Sequence, residues 1–239
     1  MNYFATINFH DRFQDHIHNK PSSKSSGYGY DLKKLENIHS WFIKHNCTSS
    51  IHKLDKDLPN PYHENLDNSA YLLIIRNGLN FLLDNPELFH QEILDLDFDK
   101  KSYQLGYGVI NKHANYCLHF DDFSQDPDYD QHMPRVCDFK QTEQTNQIRQ
   151  ALESISGLPD KSLVATGNFY PDTFQCGMGY HGDSNRRTVA AVRLGASAPL
   201  SFQWFYNHKP VGQKSIYQLN HGDIYFMSEK ATGFDYKHR

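Results

Sequence analysis

The sequence predicts an α+β fold, with helices toward the amino terminus and strands toward the carboxyl terminus. Two patterns carry that expectation. Apolar residues recur at helical spacing in the first half, and short apolar runs separated by turn residues fill the last quarter. With 239 residues, 38% of them hydrophobic, the chain can bury one sizeable core, or a catalytic domain plus a smaller helical one. The expected division is a mostly helical region over 1–130, packing on a barrel formed by 131–239.

Residues 19–30 are rich in Ser and Gly and lack apolar periodicity, so they read as a loop. Asp31 can cap a helix running to about His45, whose Leu35, Ile38, Trp41 and Phe42 share one face. A break at Asp55–Asn68, with Pro59 and Pro61, precedes the apolar stretch Ala70–Leu83. Arg76, Asn77, Gly78 and Asn80 interrupt that stretch, which is too short and too polar to cross a bilayer. Pro86 starts another helix. Asp95, Asp97 and Asp99 alternate, but the Gly and later Glu of a calcium loop are missing, so a solvated element end is the expectation. Ile148, Ala151, Leu152 and Ile155 repeat at helical spacing within 139–155.

The carboxyl-terminal strands are expected at Thr188–Leu194, Leu200–Tyr206, Ser215–Leu219 and Ile224–Met227, punctuated by Gly195, Pro199, Asn207, Pro210 and Gly222. About four strands fit between Asp183 and His238. Such a set suits a double-stranded β-helix, the jelly-roll or cupin-like barrel, whose later strand returns beside the first. In that setting Phe202, Trp204, Phe205 and Tyr206 read as alternating core residues, or in part as the wall of a base-stacking pocket.

Three His-x-Asp pairs occur among 15 His: His119/Asp121, His181/Asp183 and His221/Asp223. The chain downstream of each pair separates them. Too little of it remains after His221 for strands to bring back a distant ligand, and the neighbours of His221 are turn residues. His119 precedes an Asp- and Pro-bearing loop and a helix, and reads as a strand or loop-edge residue. After His181 come the strands of the barrel. In an extended strand residues i and i+2 share a face, so His181 and Asp183 can reach one ion. Two imidazoles and one carboxylate, with open positions left over, suit non-haem Fe(II) oxygenases. The third ligand is expected to be His238.

With Asn168-Phe-Tyr170 before the motif, His181-Gly-Asp183, Leu194-Gly195, Gly222-Asp223, Met227 and Asp235-Tyr-Lys-His238-Arg239, the segment 135–239 resembles the AlkB-like dioxygenases. The resemblance implies an Fe(II)- and 2-oxoglutarate-dependent enzyme that hydroxylates a C–H bond. Its metal would be held by His181, Asp183 and His238, and its 2-oxoglutarate by Asn168 and Tyr170. It implies oxidative demethylation of alkylated nucleic acid, single-stranded or damaged, as a DNA repair demethylase would perform. A protein or small-molecule substrate stays open, and so does a catalytically silent binding module. The family follows its distal His with a strand carrying an Arg that clamps the far carboxylate of 2-oxoglutarate, a contact that the guanidinium fork suits. This chain ends at Arg239, so Arg239, an upstream Arg such as Arg193, or a segment beyond this end has that role.

Net charge is −4 and the pI about 6.4, which gives no overall attraction to phosphates. Arg186, Arg187 and Arg193 cluster after the motif, as a local phosphate patch or as partners of surface carboxylates. Cys47, Cys117, Cys137 and Cys176 lack paired or zinc-type spacing and read as small buried thiols in a reducing compartment, with a zinc site such as Cys176 with His181 as the lesser alternative. No secretory signal opens the sequence, so an intracellular protein of the cytoplasm or nucleus, without a membrane partner, is expected.

Overall fold

The computed structural model describes residues 2–11, 29–64, 69–183 and 186–235; the expected ligands His238 and Arg239, and most of the Ser/Gly stretch 19–30, lie outside the described residues. Its strands are β1 (Phe4–His10), β2 (Ser49–Lys53), β3 (Tyr71–Ile75), β4 (Lys101–Gln104), β5 (Gly108–Asn111), β6 (Tyr116–Asp121), β7 (Val136–Asp138), β8 (Val164–Tyr170), β9 (Val189–Gly195), β10 (Ala198–Tyr206), β11 (Lys209–Leu219) and β12 (Ile224–Met227). The helices are α1 (Leu32–Lys44), α2 (Asn60–His63), α3 (Leu79–Leu82), α4 (Pro86–Asp95) and α5 (Glu143–Ser156).

The fold is mixed α and β, dominated by one eight-stranded sheet in the order β2-β3-β12-β9-β1-β8-β6-β7. Every neighbouring pair in it is antiparallel except β6–β7. Two hairpins, β10–β11 and β4–β5, form separate two-stranded sheets. No described helix is long and apolar enough to cross a membrane.

The division at 130 does not mark a break in this sheet. The first 130 residues are not mostly helical, because six of the twelve strands lie there. β1 is central, pairing with β8 on one side and β9 on the other. The last strand, β12, returns beside β9, the first strand after the His181 motif, and the amino-terminal β1 takes the other edge of β9. Period-two alternation explains it: Ala5, Ile7 and Phe9 are almost fully buried in the apolar core, while Thr6 and Asn8 line the opposite face. Likewise, within the 70–83 stretch Tyr71–Ile75 pairs as β3, and only Leu79–Leu82 coils into a helix. Tyr71–Ile75 is a continuous apolar run of the length of a buried strand.

Helices cover one face of the sheet. Leu35, Ile38 and Phe42 of α1, Phe89 and Ile93 of α4, and Ile148 and Leu152 of α5 pack with Ile7, Phe9, Val192, Leu194 and Phe226. Asp31 caps α1 by accepting from Lys34 N at 2.7 Å, as the sequence suggested. The β10–β11 hairpin lies on the other face, where Leu200, Phe202, Trp204 and Tyr217 pack on Leu72, Ile74, Ala191 and Tyr225. Phe205 and Tyr206, at the hairpin end, are exposed.

Phe9 is fully buried between strands and helices. Phe9→Ala is expected to lower unfolding free energy by about 3–5 kcal/mol, measured by urea denaturation with the far-UV signal of the whole chain. A change confined to a local transition would show that β1 is peripheral.

Candidate active site

The polar face of the sheet and the two hairpins enclose a cleft of about 2060 Å³. Its floor is set by register. Thr6 of β1 stands opposite Asn168 of β8 and opposite Arg193 of β9, so the three lie in one row across adjacent strands. Phe4 stands opposite Tyr170, and their rings stack with centroids 4.2 Å apart. Asn168 and Tyr170, two residues apart on β8, both line the cleft, as do Tyr225 and Arg193.

Arg193 is the unusual group. It is 3% exposed, its guanidinium carbon lies 4.7 Å from the Phe4 ring centroid, and its Nε and Nη1 are buried with no hydrogen-bond partner among the described residues. A buried cation with orphaned donors is costly unless an anion reaches it. Its titratable neighbours Tyr170 and Tyr225 do not supply that anion. Burial pushes both phenols up, that of Tyr225 to about 12, so they stay neutral hydroxyls. The Asp223 carboxylate is used elsewhere, accepting from Asn77 N and Asn220 N at 2.9 Å each and pairing with Arg76. A small anion reaching these donors would satisfy them.

The His181-Gly-Asp183 motif sits in the loop between β8 and β9, not on a strand. The loop nevertheless brings the pair together. His181 Nε2 lies 3.8 Å from Asp183 Oδ1. Because the Gly179 carbonyl can only accept, its 2.9 Å contact makes His181 Nδ1 the donor, so Nε2 is the nitrogen that could ligate an ion. Asp183 N donates to Thr232 O at 2.9 Å, which ties the motif to the 3-10 turn Glu229–Thr232. Gly233 follows that turn at φ +70°, and a Cβ there would stand 2.8 Å from Gly182 Cα. Only glycine allows this approach. The donor set of one imidazole and one carboxylate suits a divalent ion, although no group of three such ligands is assembled among the described residues.

The other candidates resolve into structural roles. His221 and Asp223 flank a turn with Gly222 at φ +80°. His119 lies on β6 in the cleft wall, where its Nδ1 contacts Thr166 Oγ1 at 3.1 Å and His10 Nε2 contacts the same hydroxyl at 2.9 Å. Asp97 pairs with Arg135, and buried Asp99 accepts from Tyr129 Oη and Arg135 N at 2.7 Å each, so the Asp run is not a solvated element end throughout. Cys176 Sγ donates to His113 O at 3.4 Å, and all four cysteines are free thiols. Arg186 is buried 3.7 Å from Asp183, and Arg187 stacks on Phe234 and pairs with Glu229. With Arg193 buried as well, the three arginines form no exposed patch.

Sequence reasoning missed the contribution of β1. Its signal was present in Phe4-Ala-Thr-Ile-Asn-Phe, where apolar residues at 5, 7 and 9 alternate with Thr6 and Asn8. Asn115, Cys117 and Tyr225 were missed too, since nothing local marks them.

Divalent metal titration by calorimetry is expected to show one site, lost in His181→Ala and in Asp183→Ala. Gly233→Ala, which must displace Gly182, is expected to weaken it at least tenfold, with a fold cost of about 1–3 kcal/mol from the strained φ. Unchanged metal affinity in all three variants would exclude this loop as the ion's seat.

No family model and no solved structure matches the chain. It is 39% identical over 232 residues, 97% of its own length and 90% of the relative's, to the uncharacterized protein R156 of Acanthamoeba polyphaga mimivirus. The chain belongs to the same family as the mimivirus protein.

Proposed function

We propose that this protein is an Fe(II)- and 2-oxoglutarate-dependent dioxygenase of AlkB-like type, its large sheet and the β10–β11 hairpin forming the two layers of a double-stranded β-helix. The observation that carries this reading is buried Arg193, with its orphaned donors, in the same cleft as Asn168, Tyr170 and the His181/Asp183 pair. The fork of a guanidinium matches a carboxylate. The residues therefore fit the expected group, and Arg193 takes the part that would otherwise need an Arg on a strand after His238. Position supports this further, because the slot between β8 and β9 is filled by β1, whose Thr6 is paired with Arg193.

Iron would be held by His181 and Asp183, with His238 as third ligand, and when bound would supply oxidation of a substrate C–H bond by O₂ and 2-oxoglutarate. The chain's own residues bind and orient. Arg193 neutralises the far carboxylate of 2-oxoglutarate against the Phe4 face, Tyr170 offers a neutral hydroxyl, and Asn168 an amide. Packing of Phe4, Tyr170 and Ala198 at this end excludes water, which strengthens each charge contact.

For the substrate we favour alkylated single-stranded nucleic acid. The cleft lining carries Lys101, Lys112 and Lys214, while Arg186 and Lys230 pair with Asp183 and Asp235, in a chain of net charge −4. Aromatic pairs stand on both sides of it: Tyr103 stacks on His132 at 3.8 Å, and Tyr180 lies 5.9 Å from Phe205. Stacking on such rings is worth about 1–3 kcal/mol per base, and extruding a base is cheapest from single-stranded or damaged substrate.

Arg193→Met is expected to weaken 2-oxoglutarate binding by about 1.5–3 kcal/mol, the value of a charge-assisted contact. The melting temperature without ligand should hold or rise, because an orphaned buried cation is removed. Tyr170→Phe should cost about 0.5–1.5 kcal/mol of the same affinity. Wild-type affinity in Arg193→Met would overturn the carboxylate pocket.

Methylated single-stranded oligonucleotides are expected to bind with a salt slope of about −0.7 per neutralised phosphate, reduced by about that amount in Lys101→Gln and again in Lys214→Gln. Formaldehyde release measured in parallel reads turnover. Salt-independent or undetectable binding, with 2-oxoglutarate consumed only beside a peptide or small metabolite, would replace nucleic acid by one of those substrates.

A further inference from the structure

A side-chain amide offers two faces, one accepting and one donating, and only its neighbours decide which meets a ligand. Asn168 is 8% exposed. Its Oδ1 accepts from Asn115 Nδ2 at 2.7 Å and from the Cys117 thiol at 3.4 Å, and Asn115 Nδ2 also lies 3.3 Å from Cys117 Sγ. With its oxygen held by two donors, the amide leaves Nδ2 as the group without a partner among the described residues, at the wall of the cleft. Asn115, also 8% exposed, lies between β5 and β6. The two residues before it hold the metal-motif loop: Gly177 N donates to Ala114 O at 3.1 Å and Cys176 Sγ to His113 O at 3.4 Å.

We propose that Asn115 is a positioning residue that fixes the Asn168 amide with its NH₂ toward the cleft, making that point of the floor a donor that selects a carboxylate ligand. This rests on the dioxygenase reading for the identity of the carboxylate. Thr6 and Arg193 continue the row from Asn168 across β1 and β9, so amide, hydroxyl and guanidinium offer donors along one line. If Oδ1 faced inward, an acceptor would meet the carboxylate, and an unpaired acceptor against an anion is costly. Asn115 therefore acts on affinity through Asn168 and touches no ligand itself.

The test is Asn115→Asp, which replaces the donor by a carboxylate and turns the Asn168 amide over, with Asn115→Ala as the variant that removes the tether without adding charge. By calorimetry, 2-oxoglutarate is expected to bind at least tenfold more weakly to Asn115→Asp, and about threefold more weakly to Asn115→Ala. On an Asn168→Ala background the same substitutions should change Kd less than twofold, the signature of one residue acting through the other. Equal losses on both backgrounds, or no loss on either, would overturn the proposal. Side-chain amide resonances of the ligand-free protein give a reading independent of function. The Asn168 NH₂ pair should shift, and exchange its contacts near Thr6 for contacts near residue 115, in Asn115→Asp. If wild-type protein binds no 2-oxoglutarate, the dioxygenase reading fails, and an Asn168 pair unmoved by Asn115→Asp would then separately overturn the positioning role.

Discussion

The double ladder of β1 is the constraint on which the rest depends. A strand at the centre of a sheet must satisfy its backbone on both edges and present acceptable side chains to both faces. Phe4–His10 meets both demands, with β8 and β9 as partners and an apolar row turned toward the helices. Remove it, and β8 and β9 stand apart, so that Asn168 and Arg193 no longer belong to one floor. The helices make this polar floor possible. Because α1, α4 and α5 bury the apolar face, the opposite face can carry Thr6, Asn8, Asn168 and Arg193 without depriving the protein of a core.

Much of the carboxyl-terminal half was legible in the sequence, for a physical reason. Where turn residues separate apolar runs, as at Gly195 and Gly222, local preference and tertiary structure agree, although β10 and β11 run through Pro199 and Pro210, which the sequence read as breaks, and β11 starts at Lys209 rather than Ser215. The α1 cap at Asp31 was equally local. The amino-terminal strands were not read, because partners of β1 and β3 lie far along the chain, at β8, β9 and β12. Nothing within Phe4–His10 announces that Val164 and Val189 will flank its end. Of the candidate site, Asn168, Tyr170, His181 and Asp183 were legible as a spacing. The state of Arg193 was not. Whether an arginine is solvated or orphaned is decided by Phe4 and Tyr225, residues about 190 positions before it and 32 after.

Arg193 also bears on local energetics. Isolated and buried beside an aromatic face, it lowers the stability of the empty protein relative to an apolar side chain of similar volume. A ligand that satisfies it therefore gains more than the same contact at an exposed site would give, because the desolvation cost is already met. The Asn115–Cys117–Asn168 arrangement works in the same way, since its amide is oriented before any ligand arrives.

The distance in sequence between β1 and its partners governs how the chain must assemble. β1 pairs with residues 154 (His10 with Val164) to 191 (Phe4 with Gly195) positions later, so during synthesis it leaves the ribosome early and waits for both neighbours. Loop-closure entropy makes such non-local pairing slow. Until β8 and β9 are made, Ile7 and Phe9 remain uncovered on an unpaired strand, a species open to edge-to-edge association. Faster translation shortens that interval, and a chaperone that shields extended apolar segments would matter most while residues 11–195 are emerging.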